Sequence, residues 1–265
     1  MSKITIDDLY KMKKNNEKIV MITAYDALFA KIFNDEVDMV LVGDSLNMSF
    51  GGHSETIGIS VDEMIYHSCA VRRGATRPYL VVDMPFGSTA TPELAIKNCI
   101  KVYEQTGCDA LKIEGGKDFV DTVNLLTKNG IAVMSHIGLR PQFSRFQGGY
   151  KISGRSEIDE KILLEDAKSL QDAGAVFLLV EGTISSVAKK ITKSVQIPVI
   201  GIGAGANCDG QVLMWSDMLG FFDEFKPKFV KRYLDGANLV KNAVKNYVKE
   251  VKNNEFPSSE FEYCK

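Results

Sequence analysis

Apolar residues in this chain gather in short runs that alternate with longer amphipathic stretches along nearly the whole length. Read as strands, the runs are Ile19–Tyr25, Met39–Gly43, Tyr79–Val82, Ala110–Glu114, Ala132–His136, Phe177–Glu181 and Val199–Ile202, with a weaker one near Val212–Trp215. About eight strands, each followed by a helical pattern, is the number that a closed (β/α)8 barrel needs. The predicted fold is therefore α/β, a (β/α)8 TIM barrel in a single domain spanning 1–265, with a long C-terminal helix over about Lys228–Lys252. Lys241, Lys245, Lys249 and Lys252 recur at helical spacing on that helix and read as a solvated face.

Helix boundaries are marked by their chemistry. Ser60 followed by Glu63 reads as a capping box, and Thr91-Pro92-Glu93 supplies an N-cap, a proline at the first helical position and early negative charge. Gly74, Gly107, Gly130 and Gly174 stand where helices should stop in a left-handed residue. Two connections exceed what a bare barrel requires: Leu46 to Ile59 and Gly138 to Arg155. Loops of more than about 12 residues in a compact domain are usually functional or disordered. Both follow strands bearing polar ends and both contain Gly-Gly pairs, so they read as lids.

Composition narrows the function classes. At 265 residues, with 45% hydrophobic and 25% charged residues, the chain is an ordinary globular one. A net charge of −2 gives no reason to expect nucleic acid or an anionic membrane as partner. No apolar run approaches the roughly 20 residues needed to span a bilayer, and the N-terminal stretch lacks the apolar core of a secretory signal. Cys69, Cys99, Cys108, Cys208 and Cys264 form no CxxC pair and leave one over, which suits reduced thiols in a cytoplasm.

The runs end in chemistry: Asp44, Asp83, Lys112 with Glu114, His136 and Glu181. Barrel enzymes place their active sites at these carboxyl ends. Lys112 and Glu114 are two apart and share one side of the strand, while Leu111 and Ile113 take the other. The helices require the apolar side, so Lys112 and Glu114 point inward, a costly place for charges unless they pair or bind a ligand. Asp44, Asp83 and Glu114 end three successive strands about 4.8 Å apart. Two carboxylates at about 4 Å repel by about 4 kcal/mol at an effective dielectric near 20, and a divalent cation offsets that. All-oxygen ligation suggests Mg²⁺ or Mn²⁺ rather than zinc. The bland readings stand beside these: an Asp as helix N-cap, a mutual Lys112–Glu114 ion pair, Glu181 as a loop start.

Glu181, across the mouth on apolar ground, fits a general base of raised pKa. His136 reads either as a donor to a substrate oxygen or as a buried histidine satisfied by backbone. His67, mid-helix, reads as structural, and His53 lies in the first lid. Ile197–Gly205, IPVIGIGAG, reads as a phosphate-binding turn or as close strand–helix packing, and it lacks the context of a dinucleotide fingerprint.

The strings TAYD (Thr23–Asp26), LVGDSLNM (Leu41–Met48), GGH, EMIYHSCAVRRGA, VVDMPFGS, KIEGG, HIGLRPQ, GGYKISGR, IPVIGIGAG, CDGQVLMWSDMLG and PKFVKRY occur in order from about Ile4 to Val251. Together they resemble the ketopantoate hydroxymethyltransferase (3-methyl-2-oxobutanoate hydroxymethyltransferase) family. The resemblance implies a cytoplasmic homodecamer of (β/α)8 barrels, each binding one Mg²⁺. It implies transfer of a hydroxymethyl group from 5,10-methylenetetrahydrofolate to 3-methyl-2-oxobutanoate, giving 2-dehydropantoate and tetrahydrofolate in pantothenate biosynthesis, the route to coenzyme A. Carried onto this chain, it associates Asp44, Asp83 and Glu114 with the metal, Asp44, Ser45, Asp83 and Lys112 with the keto acid, and Glu181 with proton abstraction through a Mg²⁺-stabilised enolate. The chain departs from the usual family pattern at SETIGIS after the Gly-Gly-His, at Arg140 and Phe143, and at Gly182 after Glu181. Two rivals remain: a metal-dependent lyase or mutase of the phosphoenolpyruvate mutase and isocitrate lyase kind, which needs no folate, and a non-catalytic binding barrel. The cysteine-bearing Lys-Lys-Cys-Gly-His-like loop of the lyases is absent here.

Overall fold

The computed structural model describes residues 2–222 and 226–263, so Cys264 lies outside the described residues. They fall into two compact units, Met1–Met214 and Trp215–Lys265.

The first unit is the barrel. Eight strands, β1 (Ile19–Thr23), β2 (Met39–Val42), β3 (Tyr79–Asp83), β4 (Ala110–Glu114), β5 (Val133–Gly138), β6 (Phe177–Glu181), β7 (Val199–Ile202) and β8 (Gly210–Leu213), close in sequence order, each parallel to its neighbours. Helices α1 (Ile6–Asn15), α2 (Ala27–Phe33), α3 (Leu46–Ser49), α4 (Val61–Gly74), α5 (Pro92–Thr106), α6 (Val120–Lys128), α7 (Ser144–Gln147), α8 (Glu157–Asp172) and α9 (Ser185–Ser194) complete it. The predicted (β/α)8 architecture is therefore the observed one.

Alternation along each strand fills the interior in layers. Ile19, Met39, Tyr79, Ala110, Met134, Phe177 and Ile200, with Met21, Leu41, Val81, Leu179 and Val212, form the buried core. Helix α1 supplies the floor. Its N-cap Thr5 forms a reciprocal capping box with Asp8, Leu9 is fully buried, and Tyr10 packs edge-on against Phe177 at 6.2 Å. The predicted capping box of Ser60 with Glu63 and the Thr91-Pro92 start are both present, at α4 and α5.

Three sequence expectations are corrected. The eighth strand is Gly210–Leu213, not a run to Trp215, which instead begins a short helix, α10 (Trp215–Met218). The C-terminal helix α11 spans Gly236–Lys252 rather than starting at Lys228. Within the second unit, Tyr233 and Gly236 donate their backbone N–H groups to Met218 and Leu219, which holds that stretch off the helical path. Gly107, Gly130 and Gly174 do take positive φ, but Gly74 does not; it is the last residue of α4, with Ala75 as C-cap.

Gly74 is there for space. A Cβ on it would lie 2.3 Å from the Ala27 carbonyl oxygen and 2.9 Å from the Ala30 Cβ of α2. Gly→Ala inside a helix ordinarily stabilises by roughly 0.5–1 kcal/mol. Here overpacking reverses the sign, and Gly74→Ala is expected to destabilise by about 1–3 kcal/mol in urea unfolding.

In the second unit, Tyr247 meets Phe256 edge-to-face at 5.6 Å, and Phe256 meets Phe261 at a tilt at 5.7 Å. Lys245, Lys249 and Lys252 are exposed, as a solvated face requires. No described helix is long and apolar enough to cross a membrane.

Candidate active site

The interior alternation that builds the core turns polar at its last layer. Above Leu41 comes Gly43 and then Asp44; above Val81, Asp83; above Ala110, Lys112 and Glu114; above Met134, His136; above Leu179, Glu181. Strand register sets them side by side: Asp83 pairs with Lys112, Glu114 with His136, and Glu181 with Gly138 and Ile202. They line a small cavity of about 70 Å³ at the mouth of the barrel. The cavity is divided. Asp44, Asp83, Lys112, Glu114 and His136, with Leu41 below them, make a mostly polar half on and after β2–β5, whereas Leu179, Ile202, Val212 and Met214 form an apolar half on and after β6–β8. Glu181 stands at the seam.

One ammonium serves several carboxylates. Lys112 Nζ lies 3.1 Å from Asp83 Oδ1 and 3.8 Å from Glu114 Oε1, and all three side chains are almost fully buried. Burial pulls the Lys112 pKa down, but Asp83, Glu114 and Asp44 together raise it above its ordinary value, so it stays charged. The carboxylates move the other way. Burial, reinforced by Asp83 and Glu114, raises Asp44 well above the usual range. Burial also raises Asp83 against the pull of Lys112 and pushes Glu114 up to about 8. Glu181 is likewise pushed up to about 8 by burial, with Lys112 opposing and Asp44 and Asp83 adding to it. Four carboxyls face one lysine, and their raised pKa values mean that protons or a divalent cation must neutralise the remainder.

His136 lies between the two glutamates. Its Nδ1 is 3.1 Å from Lys112 Nζ and 3.6 Å from Glu114 Oε1, and its Nε2 is 3.4 Å from Glu181 Oε2. Burial and then Lys112 hold it well below its ordinary pKa, so the ring is neutral. An ammonium only donates, so Nδ1 accepts and the ring proton sits on Nε2, facing Glu181. That Nε2 has no aligned hydrogen-bond partner. Lys112 and the two glutamates surround the ring, and a backbone hydrogen bond at Leu139 also acts on it.

The other expected residues are placed as follows. Ser45 lines the cavity and shares a 2.8 Å hydrogen bond with the buried Tyr25 hydroxyl. Asp44 N–H donates to Asp83 Oδ2 at 3.0 Å, locking the ends of β2 and β3 together. His67 meets the Tyr25 carbonyl at 2.6 Å and is structural, while His53 is exposed in the first lid. At the glycine-rich turn, a Cβ on Gly205 would meet Ser185 Cβ at 2.6 Å, so the packing reading accounts for it.

Sequence reasoning passed over Gln142. It belongs to the second lid, in a 3-10 turn at Pro141–Phe143, yet it is buried against the carboxylates. Its side-chain Nε2 donates to Asp44 Oδ2 at 2.8 Å and to the Met84 carbonyl at 3.0 Å, and its backbone N–H donates to Glu114 Oε2 at 3.0 Å. The two lids are also joined outside the cavity, where Arg145 Nε donates to Glu55 Oε2 at 2.8 Å.

The donor set suits a hard divalent cation. Glu114 Oε1 is buried without a hydrogen-bond partner, Asp83 Oδ1 has the Lys112 ammonium at 3.1 Å, and the oxygens available to a cation are all carboxylate. Among the described residues, no three His, Cys, Asp or Glu side chains form a ready-made metal cluster. Mg²⁺ usually takes only one or two carboxylates and completes its shell with substrate oxygens and water.

Known proteins bear on this arrangement at two levels. Fold similarity reaches 2,3-dimethylmalate lyase, a member of the phosphoenolpyruvate mutase and isocitrate lyase superfamily, with a TM-score of 0.60 over 100% of this chain and 92% of that one, at 16% identity. At that identity the likeness is one of architecture. Sequence similarity is far stronger. The chain is 66% identical over 265 residues, all of both chains, to the 3-methyl-2-oxobutanoate hydroxymethyltransferase of Campylobacter fetus subsp. fetus. It is 57% identical to that of Campylobacter curvus, covering 98% of this chain and 97% of the relative. The sequence profile of ketopantoate hydroxymethyltransferase matches residues 3–259. With its whole barrel covered, the chain belongs to the ketopantoate hydroxymethyltransferase family.

Proposed function

We propose that this enzyme transfers a hydroxymethyl group from 5,10-methylenetetrahydrofolate to 3-methyl-2-oxobutanoate, giving 2-dehydropantoate and tetrahydrofolate, with Glu181 as the base. The observation that supports this reading is the divided cavity. A branched 2-keto acid has an anionic head and an apolar tail, and the mostly polar β2–β5 half and the apolar β6–β8 half match the two ends. The carbon between them, C3, then falls beside Glu181 at the seam.

Asp44, Asp83 and Glu114 would hold Mg²⁺, one per subunit. When bound, Mg²⁺ supplies Lewis-acid polarisation of the keto acid and offsets the negative charge that builds on the keto oxygen. The chain's own residues do the rest. Lys112, held charged by its carboxylate neighbours, faces the keto-acid head, and Ser45 and His136 offer further polar contacts there. Glu181 takes the C3 proton, and the C–H electron pair passes into the C2–C3 bond, giving the enolate. The neutral His136 stands beside the base, its Nε2 3.4 Å from Glu181 Oε2. Water releases the folate's one-carbon unit as formaldehyde, both C–N bonds breaking to leave tetrahydrofolate. C3 then attacks that carbon, while the formaldehyde oxygen takes up the proton held by Glu181 and becomes the hydroxyl. The apolar half and the two lids exclude bulk water around these steps. The reading carries with it a single catalytic domain over 1–265, a cytoplasmic location and a homodecamer.

The test is NMR of 3-methyl-2-oxobutanoate in D₂O with protein and Mg²⁺, first without and then with tetrahydrofolate and its methylene adduct. Deuterium entering C3 only with protein and metal, followed by 2-dehydropantoate once the adduct is added, is the expected result. Deuterium exchange and carbon–carbon cleavage products without any folate requirement would instead favour a lyase. Binding without exchange would reduce the barrel to a keto-acid receptor.

A further inference from the structure

We infer that Gln142 is a positioning residue that fixes the cation-facing oxygens of Asp44 and Glu114 from the second lid. The inference rests on the reading that these carboxylates hold a divalent cation.

The geometry is specific. The turn Pro141–Phe143 brings one residue against the ends of three strands: Gln142 Nε2 reaches Asp44 after β2 and Met84 after β3, while its backbone N–H reaches Glu114 on β4. Both amide hydrogens have acceptors, so the amide is locked rather than free to turn over. A carboxylate's terminal torsion is broad when nothing holds it. At Asp44, Gln142 occupies Oδ2; at Glu114, it occupies Oε2. In each case one carboxylate oxygen is tied to the lid, which fixes the torsion that places the other. At Glu114 that second oxygen, Oε1, is buried with no hydrogen-bond partner. Donors of this kind, one bond beyond the ligands, typically set 10–100-fold of metal affinity.

A lid anchor with no bearing on the cation would produce the same burial, so the decisive quantity is cation affinity, measured without substrate. Free Mn²⁺ is titrated by EPR against the full-length protein and three variants. Gln142→Met keeps the side chain's length and removes both donors; Gln142→Asn keeps the amide but falls one methylene short of Asp44. Arg145→Ala opens the outer Glu55 contact of the same lid without touching the carboxylates. The expected result is a 10–100-fold weaker Mn²⁺ Kd in both Gln142 variants and an unchanged Kd in Arg145→Ala, with thermal unfolding confirming folded protein in each. Wild-type affinity in either folded Gln142 variant would overturn the inference while leaving the metal reading intact. A tenfold loss in Arg145→Ala would overturn it too, by showing that any loosening of the lid suffices. No Mn²⁺ binding by the unmutated protein would remove the metal reading itself.

Discussion

Glu181→Gln is expected to slow deuterium exchange at C3 of 3-methyl-2-oxobutanoate by about 10²–10⁴-fold, the usual contribution of a positioned base. Keto-acid affinity should change little, because Glu181 stands at the seam of the cavity rather than among the head-binding charges. The pH dependence gives the substitution a second signature. Burial, opposed by Lys112, holds Glu181 near 8 instead of its ordinary 4.5, so exchange by the unmutated protein should climb with pH as the carboxylate forms. A bound divalent cation favours the ionised form and moves that limb toward acid. Stability must run the opposite way. A carboxyl whose folded pKa is raised gives its full stabilisation below its unfolded value and loses it as pH rises through the folded one. Glutamine mimics the protonated form, so metal-free Glu181→Gln should melt with the wild type near pH 4 and above it at pH 9. Lost exchange with raised alkaline stability would tie the defect to the base and not to misfolding. Wild-type exchange in the variant would remove Glu181 from the mechanism.

The charged layer was legible in the sequence because a barrel imposes a two-residue period, and that period carries Lys112 and Glu114 to the same side as Ala110. What lay outside such periodicity was not legible. Gly210 and Gln211 open β8 with no apolar signal; they are strand because β1 and β7 flank them, and Gly210 leaves no room for a Cβ beside the Ile19 carbonyl. Gln142 is an uncharged residue in an irregular loop, and only the folded chain brings it to Asp44, 98 positions away. Gly74 had the right neighbours for a helix stop, and the reason it is glycine lies on α2. Helix α1 shows the same limit. Its capping box can be read from Thr5 and Asp8, but its role as the barrel floor depends on Leu9 and Tyr10 meeting side chains far along the chain.

Lys112→Met should be the most destabilising single change in the site, and the size of its effect should depend on pH. The substitution keeps the buried stem and removes the one ammonium among Asp44, Asp83, Glu114 and Glu181. Breaking a buried ion pair by deleting one partner typically costs about 3–5 kcal/mol. Here the deficit has an outlet, since the remaining carboxyls can take up protons. Lys112 lowers the pKa of Asp83, Glu114 and Glu181, so its loss raises all three further. Folded-state values raised above the unfolded ones mean stability that is present in acid and lost as pH rises through the folded values. Urea unfolding should therefore show a small deficit near pH 5, where protonation neutralises the cluster, and a full one near pH 9. Near pH 5 the variant also escapes the desolvation of a buried ammonium, which narrows the gap further. Added Mg²⁺ should recover part of the alkaline loss if the same oxygens hold the cation, because a ligand that binds only the folded state stabilises it by mass action. A deficit that does not vary with pH would show that Lys112 acts through packing alone, and that the carboxylates do not share its charge.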